Sequence, residues 1–364
     1  MSKFILMAGG TGGHLFPAMS LAQELIRRGH EVQLATDERV ESYGGDFPAT
    51  KVHVIPAATP SIRNPLKFVV AGFTIVGGIL KALGVMLREK PDAVIAFGGY
   101  PSFPPFMAAA LLRIPGVLHE QNAVLGRANR ALLRFARALA VQFEQTRGAE
   151  NFRIEMIVTG NPVRDQVRRL ADINYPDPSG EGPLKLLVFG GSQGARAFSD
   201  LVPPAIASLS AELKGRLIVT QQCRAEDMER VTSAYAEARI NVELATFFSD
   251  LPERMAASHL VIGRAGASTI SELGVLGRPA ILIPLPGSLD QDQRANASLM
   301  EEAGGGWLVD EDTLSPQSLG KRLADLLGDA DALKSAASAA KTIGKSDAVE
   351  RLADVAEWLA NNKA

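Results

Sequence analysis

The chain has 364 residues, with 38 Lys and Arg against 40 Asp and Glu, 46% hydrophobic and 6% aromatic. That length exceeds one ordinary core and suits two domains, and the hydrophobicity excludes intrinsic disorder. A net charge of −2 leaves no basic surplus for a phosphate backbone, which excludes a dedicated nucleic-acid binder. Cys223 is the single cysteine, so an internal disulfide and a cysteine-based metal cluster are excluded, and a reducing compartment is expected.

From the N-terminus, residues 3–8 read as a strand, 17–28 as a helix closed by Gly29, and 31–35 as the next strand. The first apolar run stops at a glycine loop, too soon for a signal-peptide core. Residues 66–87 are strongly apolar, but the longest uncharged run within them, 68–80, has 13 residues where a membrane span needs roughly 20. Residues 92–97 form a buried strand ending in Gly98-Gly99. Two more lie at 117–119 and 139–141, with a helix at 128–137 between them. After a pause at Gly160-Asn161-Pro162 and a polar loop at 174–183, the pattern restarts with a strand at 184–189, a glycine loop and a helix. Later strands fall at 216–220, 260–263 and 280–283. Strands alternating with helices predict α/β architecture with doubly wound parallel sheets. The reading is two Rossmann-like domains, 1–161 and 162–346, facing a cleft. The amphipathic C-terminal stretch, 347–364, suits packing on either domain, the first included.

Two loops carry the chemistry. Gly9-Gly10-Thr11-Gly12-Gly13-His14 follows the first strand, and Gly190-Gly191-Ser192-Gln193-Gly194-Ala195-Arg196 takes the same place in the second half. Glycine at a strand-to-helix turn lets backbone approach a ligand, and the helix start offers unpaired N–H groups to an anion. Neither loop ends in the Lys-Ser/Thr of a P-loop, and His14-Leu15 stands where a dinucleotide fingerprint has its third glycine. One such loop could still be a bare turn with nothing bound; two matched loops point to two phosphate-bearing substrates. His14 is either a helix-start residue or, on the tip of such a loop, a base able to take a hydroxyl proton.

In the second half, Arg264 to Glu272 follows a strand and sets a carboxylate one turn inside a helix. Glu272 could hold a ribose diol, or be a helix-start acid worth ~0.3–1 kcal/mol. Asp290-Gln291-Asp292-Gln293 enters another helix; its two aspartates suit a solvated loop better than a metal site.

These segments, with Phe97-Gly98-Gly99-Tyr100, His119-Glu120-Gln121-Asn122, Gly160-Asn161-Pro162-Val163-Arg164 and Asn296-Ala297, occur in an order that resembles the MurG family of bacterial glycosyltransferases. The resemblance spans nearly the whole chain. It implies a GT-B fold and an inverting transfer of N-acetylglucosamine from UDP-N-acetylglucosamine to the C4 hydroxyl of undecaprenyl-pyrophosphoryl-N-acetylmuramoyl-pentapeptide, in peptidoglycan synthesis. It implies no cofactor or protein-held metal, a peripheral place on the cytoplasmic face of the plasma membrane, and cell-wall synthesis proteins as partners.

Residue by residue, the resemblance puts Thr11, Gly12 and Gly13 beside the donor and Asn122 at its sugar. Arg164 and Ser192 go to the UDP portion, Phe248 beside uracil, Glu272 on the ribose and Gln293 on the sugar. His14 matches the proposed base, and Gly9, Gly10, Gly98 and Gly99 suit the acceptor's pyrophosphate. Two departures stand out: Pro101-Ser102-Phe103-Pro104-Pro105 replaces a glycine-containing continuation after Tyr100, and Asp292 replaces another polar residue.

The rival classes are a nicotinamide dehydrogenase, which would use Asp37 on a ribose, and a UDP-N-acetylglucosamine 2-epimerase of the same architecture. The 66–87 segment is either a core helix or, flanked by Arg63, Lys67, Lys81, Arg88 and Lys90, an interfacial one lying on anionic lipid.

Overall fold

The structure, a computed structural model, describes residues 1–9, 12–39, 47–59, 64–150, 152–191 and 194–362. It divides into two compact units, Met1–Arg164 with Ser346–Ala364, and Asp165–Lys345.

The first unit carries a seven-stranded sheet of β1 (Lys3–Met7), β2 (Glu31–Thr36), β3 (Val52–Val54), β4 (Ala93–Ala96), β5 (Gly116–Glu120), β6 (Ala138–Val141) and β7 (Glu155–Val158). All neighbours are parallel, in the order β3-β2-β1-β4-β5-β6-β7. Its helices are α1 (Gly12–Arg27), α2 (Pro65–Glu89), α3 (Phe103–Leu111) and α4 (Arg127–Leu132). Alternation along β1 sorts the two cores. Phe4 and Leu6 pack with Leu21 and Leu25 of α1, whereas Ile5 and Met7 pack with Val85 and Met86 of α2 and Phe106 of α3.

The second unit has a six-stranded parallel sheet of β8 (Leu184–Phe189), β9 (Leu217–Gln222), β10 (Asn241–Ala245), β11 (Leu260–Gly263), β12 (Ala280–Leu282) and β13 (Gly306–Leu308). Their order is β10-β9-β8-β11-β12-β13. Helices α5 (Asp165–Arg169), α6 (Arg196–Ala207), α7 (Ala211–Arg216), α8 (Met228–Glu237), α9 (Leu251–Ala256), α10 (Ala267–Leu276), α11 (Asp292–Glu302), α12 (Pro316–Leu327) and α13 (Ala330–Ile343) surround it. Phe198 and Val202 of α6 and Leu319 and Leu323 of α12 bury against Leu186 and Val188.

The last helix, α14 (Ala348–Asn361), belongs to the first unit. Its Leu352 and Leu359 join the α1 core, and Arg28 reaches Asp354 at 2.7 Å and Glu357 at 2.9 Å. The division falls after Arg164, beyond the boundary drawn at 161. Val163 is buried, and the Arg164 guanidinium lies over the Phe16 ring of α1, 5.6 Å from its centroid.

Two local expectations change. The first helix starts at Gly12, with Pro17 inside it, so His14 sits in the first helical turn rather than on a loop tip. Residues 128–137 are not one helix: α4 ends at Leu132, and a 3-10 turn, Leu133–Phe135, follows.

Candidate active site

Strand order reverses between β1 and β4 in one sheet and between β8 and β11 in the other. At such switch points adjacent loops diverge and leave a crevice at the carboxyl ends of the strands. The two glycine loops leave β1 and β8, so each opens on a crevice of its own unit.

In the first unit, Gly9 packs so tightly that a Cβ would meet Pro101 at 3.1 Å. Gly98 (φ +88°) and Gly99 (φ +74°) take left-handed backbone that favours glycine. The Ser102 hydroxyl donates to Met7 O at 3.0 Å and to Gly98 O at 2.7 Å, tying the β1 and β4 loops together. Ser102 is thus the clasp between these two loops. The His14 ring lies beside it, with Nε2 3.5 Å from where a Gly98 Cβ would stand. Desolvation, with the Arg39 charge adding to it, pushes the His14 imidazole down to about 4, so it is neutral near pH 7. Gly10 and Thr11 lie outside the described residues; Gly13 is exposed, and a Cβ there would meet nothing within 4 Å.

Behind this crevice is a buried polar network centred on Glu120, to which the sequence reading gave no role. Glu120, at the end of β5, accepts from Asn122 N at 3.1 Å, Asn122 Nδ2 at 3.3 Å, Gly126 N at 2.9 Å and Asn129 Nδ2 at 2.8 Å. Burial pushes its carboxyl above the ordinary range, while these donors act in the opposite direction. Asn122 is therefore held by its neighbour but one. The only signal in the sequence is the run of four polar residues, 119–122, at the end of a buried strand.

In the second unit, a Cβ on Gly190 would come 2.4 Å from Ala195 N, which admits glycine alone. Gly191 (φ +87°) and Gly194 (φ +66°) turn the chain into α6. Ser192 lies outside the described residues. Glu272 is the sixth residue of α10 and buried; dipole effects fade within the first turn, so a helix-start role does not account for it. Gln293 accepts from Leu285 N at 3.0 Å. Phe248 is buried, with the Arg254 guanidinium 4.4 Å from its ring centroid, and its neighbour Phe247 is the exposed ring. Arg264, another residue given no role, is buried; it donates to Ile283 O and Pro284 O, both at 3.1 Å, and pairs with Glu311 at 2.6 Å. It thereby holds the ends of β11 and β12 in register. Among the described residues, no three His, Cys, Asp or Glu side chains gather as a metal would require.

The 66–87 segment lies within α2, capped by Asn64, which accepts from Lys67 N at 3.1 Å. The helix runs unbroken through Lys81, so it is long and apolar enough to cross a membrane by length and composition, unlike the 13-residue run. Ala71, Gly78, Ala82, Val85 and Met86 bury one face in the unit. The other is bare: Leu66 is 75%, Phe73 76% and Leu80 65% exposed. Lys67, Lys81, Arg88 and Lys90 are exposed around it, and Arg63 lies outside the described residues.

Residues 4–141 match the glycosyltransferase family 28 N-terminal domain and residues 185–352 its C-terminal domain. A Mesorhizobium japonicum protein is 48% identical, covering 99% of this chain and 96% of its own length. A Methylobacterium nodulans protein is 52% identical over 96% of this chain and 94% of its own. Both are named UDP-N-acetylglucosamine–N-acetylmuramyl-(pentapeptide) pyrophosphoryl-undecaprenol N-acetylglucosamine transferase. The crystal structure of Acinetobacter baumannii MurG superposes with a TM-score of 0.81 at 29% identity, covering 98% of this chain and 99% of that one. The chain belongs to the MurG branch of glycosyltransferase family 28. Its two Rossmann-like units are those of a GT-B glycosyltransferase. The kitacinnamycin glycotransferase, at 18% identity and a TM-score of 0.70, shares that fold.

Proposed function

We propose that this MurG-family chain moves N-acetylglucosamine from UDP-N-acetylglucosamine to the C4 hydroxyl of undecaprenyl-pyrophosphoryl-N-acetylmuramoyl-pentapeptide in peptidoglycan synthesis. The observation that carries this reading is near-full-length identity of 48% and 52% to proteins named for that transfer. The names of these relatives speak against the 2-epimerase.

The chemistry follows from charge. As the bond from the anomeric carbon to the UDP oxygen breaks, its electron pair leaves with the diphosphate. The start of α6, Ser192 and Arg164 are assigned to stabilise that charge. The acceptor oxygen attacks the opposite face of the carbon, inverting it, and its proton passes to His14. A pyrophosphate held at Gly9, Gly10, Gly98 and Gly99 would raise the pKa of the adjacent imidazole towards the working range. Glu272 is assigned to the ribose, Gln293 and Asn122 to the sugar, and Thr11, Gly12 and Gly13 to the donor's approach. For uracil, the burial of the Phe248 ring supports contact through its backbone.

The exposed face of α2 supports docking on the cytoplasmic face of the plasma membrane, where the acceptor's lipid tail is held. The deciding experiment is UDP release from UDP-N-acetylglucosamine with and without the lipid acceptor. Acceptor-dependent release with a disaccharide product is expected; acceptor-independent epimerisation would overturn the reading.

A further inference from the structure

Gly98 and Gly99 both take left-handed backbone, and with no Cβ on either side the peptide between them can turn over at little steric cost. Ser102 decides which way it faces. Its hydroxyl donates to Gly98 O at 2.7 Å and its N–H donates to Gly99 O at 3.1 Å, so one residue holds both carbonyls of the pair. We propose that Ser102 is a positioning residue: it turns the Gly98–Gly99 peptide so that the Gly99 N–H faces the crevice and meets the acceptor's pyrophosphate. This rests on the assignment of Gly98 and Gly99 to that group made above.

The physical case has two parts. In a trans peptide the C=O and N–H point in opposite directions, and the described chain holds no cis bond. Ser102 is fully buried, so the Gly98 carbonyl drawn onto it lies inward and the Gly99 N–H outward, at a residue that is only half-buried. Among the described residues nothing accepts that N–H, and the His14 ring stands 3.6 Å from where a Gly99 Cβ would be. The second part is what steadies the serine. Its hydroxyl also reaches Met7 O at 3.0 Å, the carbonyl that takes Phe97 N at 2.8 Å where β4 runs beside β1. Ser102 is thereby tied to the sheet, and Gly98 O to Ser102. An alanine would keep the backbone bond to Gly99 O and release the Gly98 carbonyl, and a donor that is no longer pre-aimed at an anion binds it less well.

Steady-state kinetics of the full chain on a short-chain, water-soluble acceptor, with calorimetry of UDP, tests it. Ser102→Ala should raise KM for that acceptor about tenfold, the worth of one hydrogen bond to a charged group, and leave kcat and UDP affinity nearly unchanged. Ser102→Cys, whose thiol is a weak donor, should fall between the two, and it supplies the comparison if Ser102→Ala melts early. An acceptor KM and a UDP affinity both unchanged, or both weakened equally, overturn the positioning role. Weaker UDP binding at an unchanged acceptor KM overturns instead the assignment of Gly98 and Gly99 to the acceptor.

Discussion

Gln121 donates from Nε2 to Nδ1 of His119 at 2.9 Å, which fixes the nitrogen that carries the imidazole proton. The amide is oriented by Phe97 O at 2.9 Å and His119 O at 3.1 Å, so its nitrogen must face the ring. His119 then holds its proton on Nε2 and donates it to Gly160 O. Both ring nitrogens are committed to the fold. The two histidines near the β4 loop thus differ in kind: His119 holds the Gly160 turn, and His14 is the one proposed as the base.

His119→Ala should accordingly act on stability. Removing a buried donor of this kind costs about 1–3 kcal/mol, read by urea denaturation at pH 7.5. Burial pushes both His119 and His14 from 6.5 down to about 4. Between those values the unfolded chain binds more protons than the folded one. Their stabilising contribution is complete above about 6.5 and is lost as pH falls through 6.5 towards 4, up to about 3 kcal/mol for His119. Melting temperature should fall on acidification from 7.5 to 5, and less steeply in His119→Ala. Parallel slopes would contradict the buried neutral imidazole.

His14→Ala should lower turnover by about 100-fold or more while UDP affinity stays nearly intact. Because the imidazole is held down to about 4, kcat/KM should show no acid limb near 6.5 and remain flat to about pH 5. The kcat profile, which reports the complex with a pyrophosphate beside the ring, should bend at higher pH. A variant that loses mainly nucleotide affinity would reject the base.

Glu272→Ala should weaken UDP by roughly 1–3 kcal/mol, the range for a charged hydrogen bond. Calorimetry showing unchanged affinity, with unchanged stability, would remove Glu272 from the ribose.

The strands that sequence reading found and those it missed divide on one physical line. β1, β8 and β11 are buried on both faces and appear as apolar runs. The four missed strands, β3, β7, β10 and β13, are the four edges of the two sheets. Three or four edge residues such as Val52-His53-Val54 or Glu155-Met156-Ile157-Val158 pair on one side and carry a mixed pattern. The second glycine loop was legible because close packing at Gly190 and left-handed backbone at Gly191 and Gly194 favour glycine, whereas in the first Gly9 packs against Pro101 and Gly13 has room for a side chain. The Glu120 network was not, since its carboxylate is satisfied by backbone and amide N–H groups whose convergence no spacing announces. The start of α1 was misread because Pro17 looks like a first helical residue, whereas the glycines themselves form that turn.

The last expectation concerns α2. Its buried face is fixed by close packing: a Cβ on Gly78 would come 2.1 Å from Pro56 O, so the helix is seated on its unit and cannot rotate to hide its apolar side. Exposed Leu66, Phe73, Val76 and Leu80 form that side, at a cost in water of about 25 cal/mol per Å² that an interface with lipid acyl chains would remove. Lys67, Lys81 and Lys90 around it would each add about 1 kcal/mol on anionic lipid. Ile75 and Ile79 on the same helix are half-buried, so serine at these positions would confuse docking with folding. Serine at Leu66, Phe73 and Leu80 avoids this. That triple variant should keep its melting temperature and UDP affinity and lose binding to vesicles containing phosphatidylglycerol. Its turnover should fall on acceptor in vesicles and recover on a short-chain, water-soluble acceptor. Retained vesicle binding would place the docking surface elsewhere.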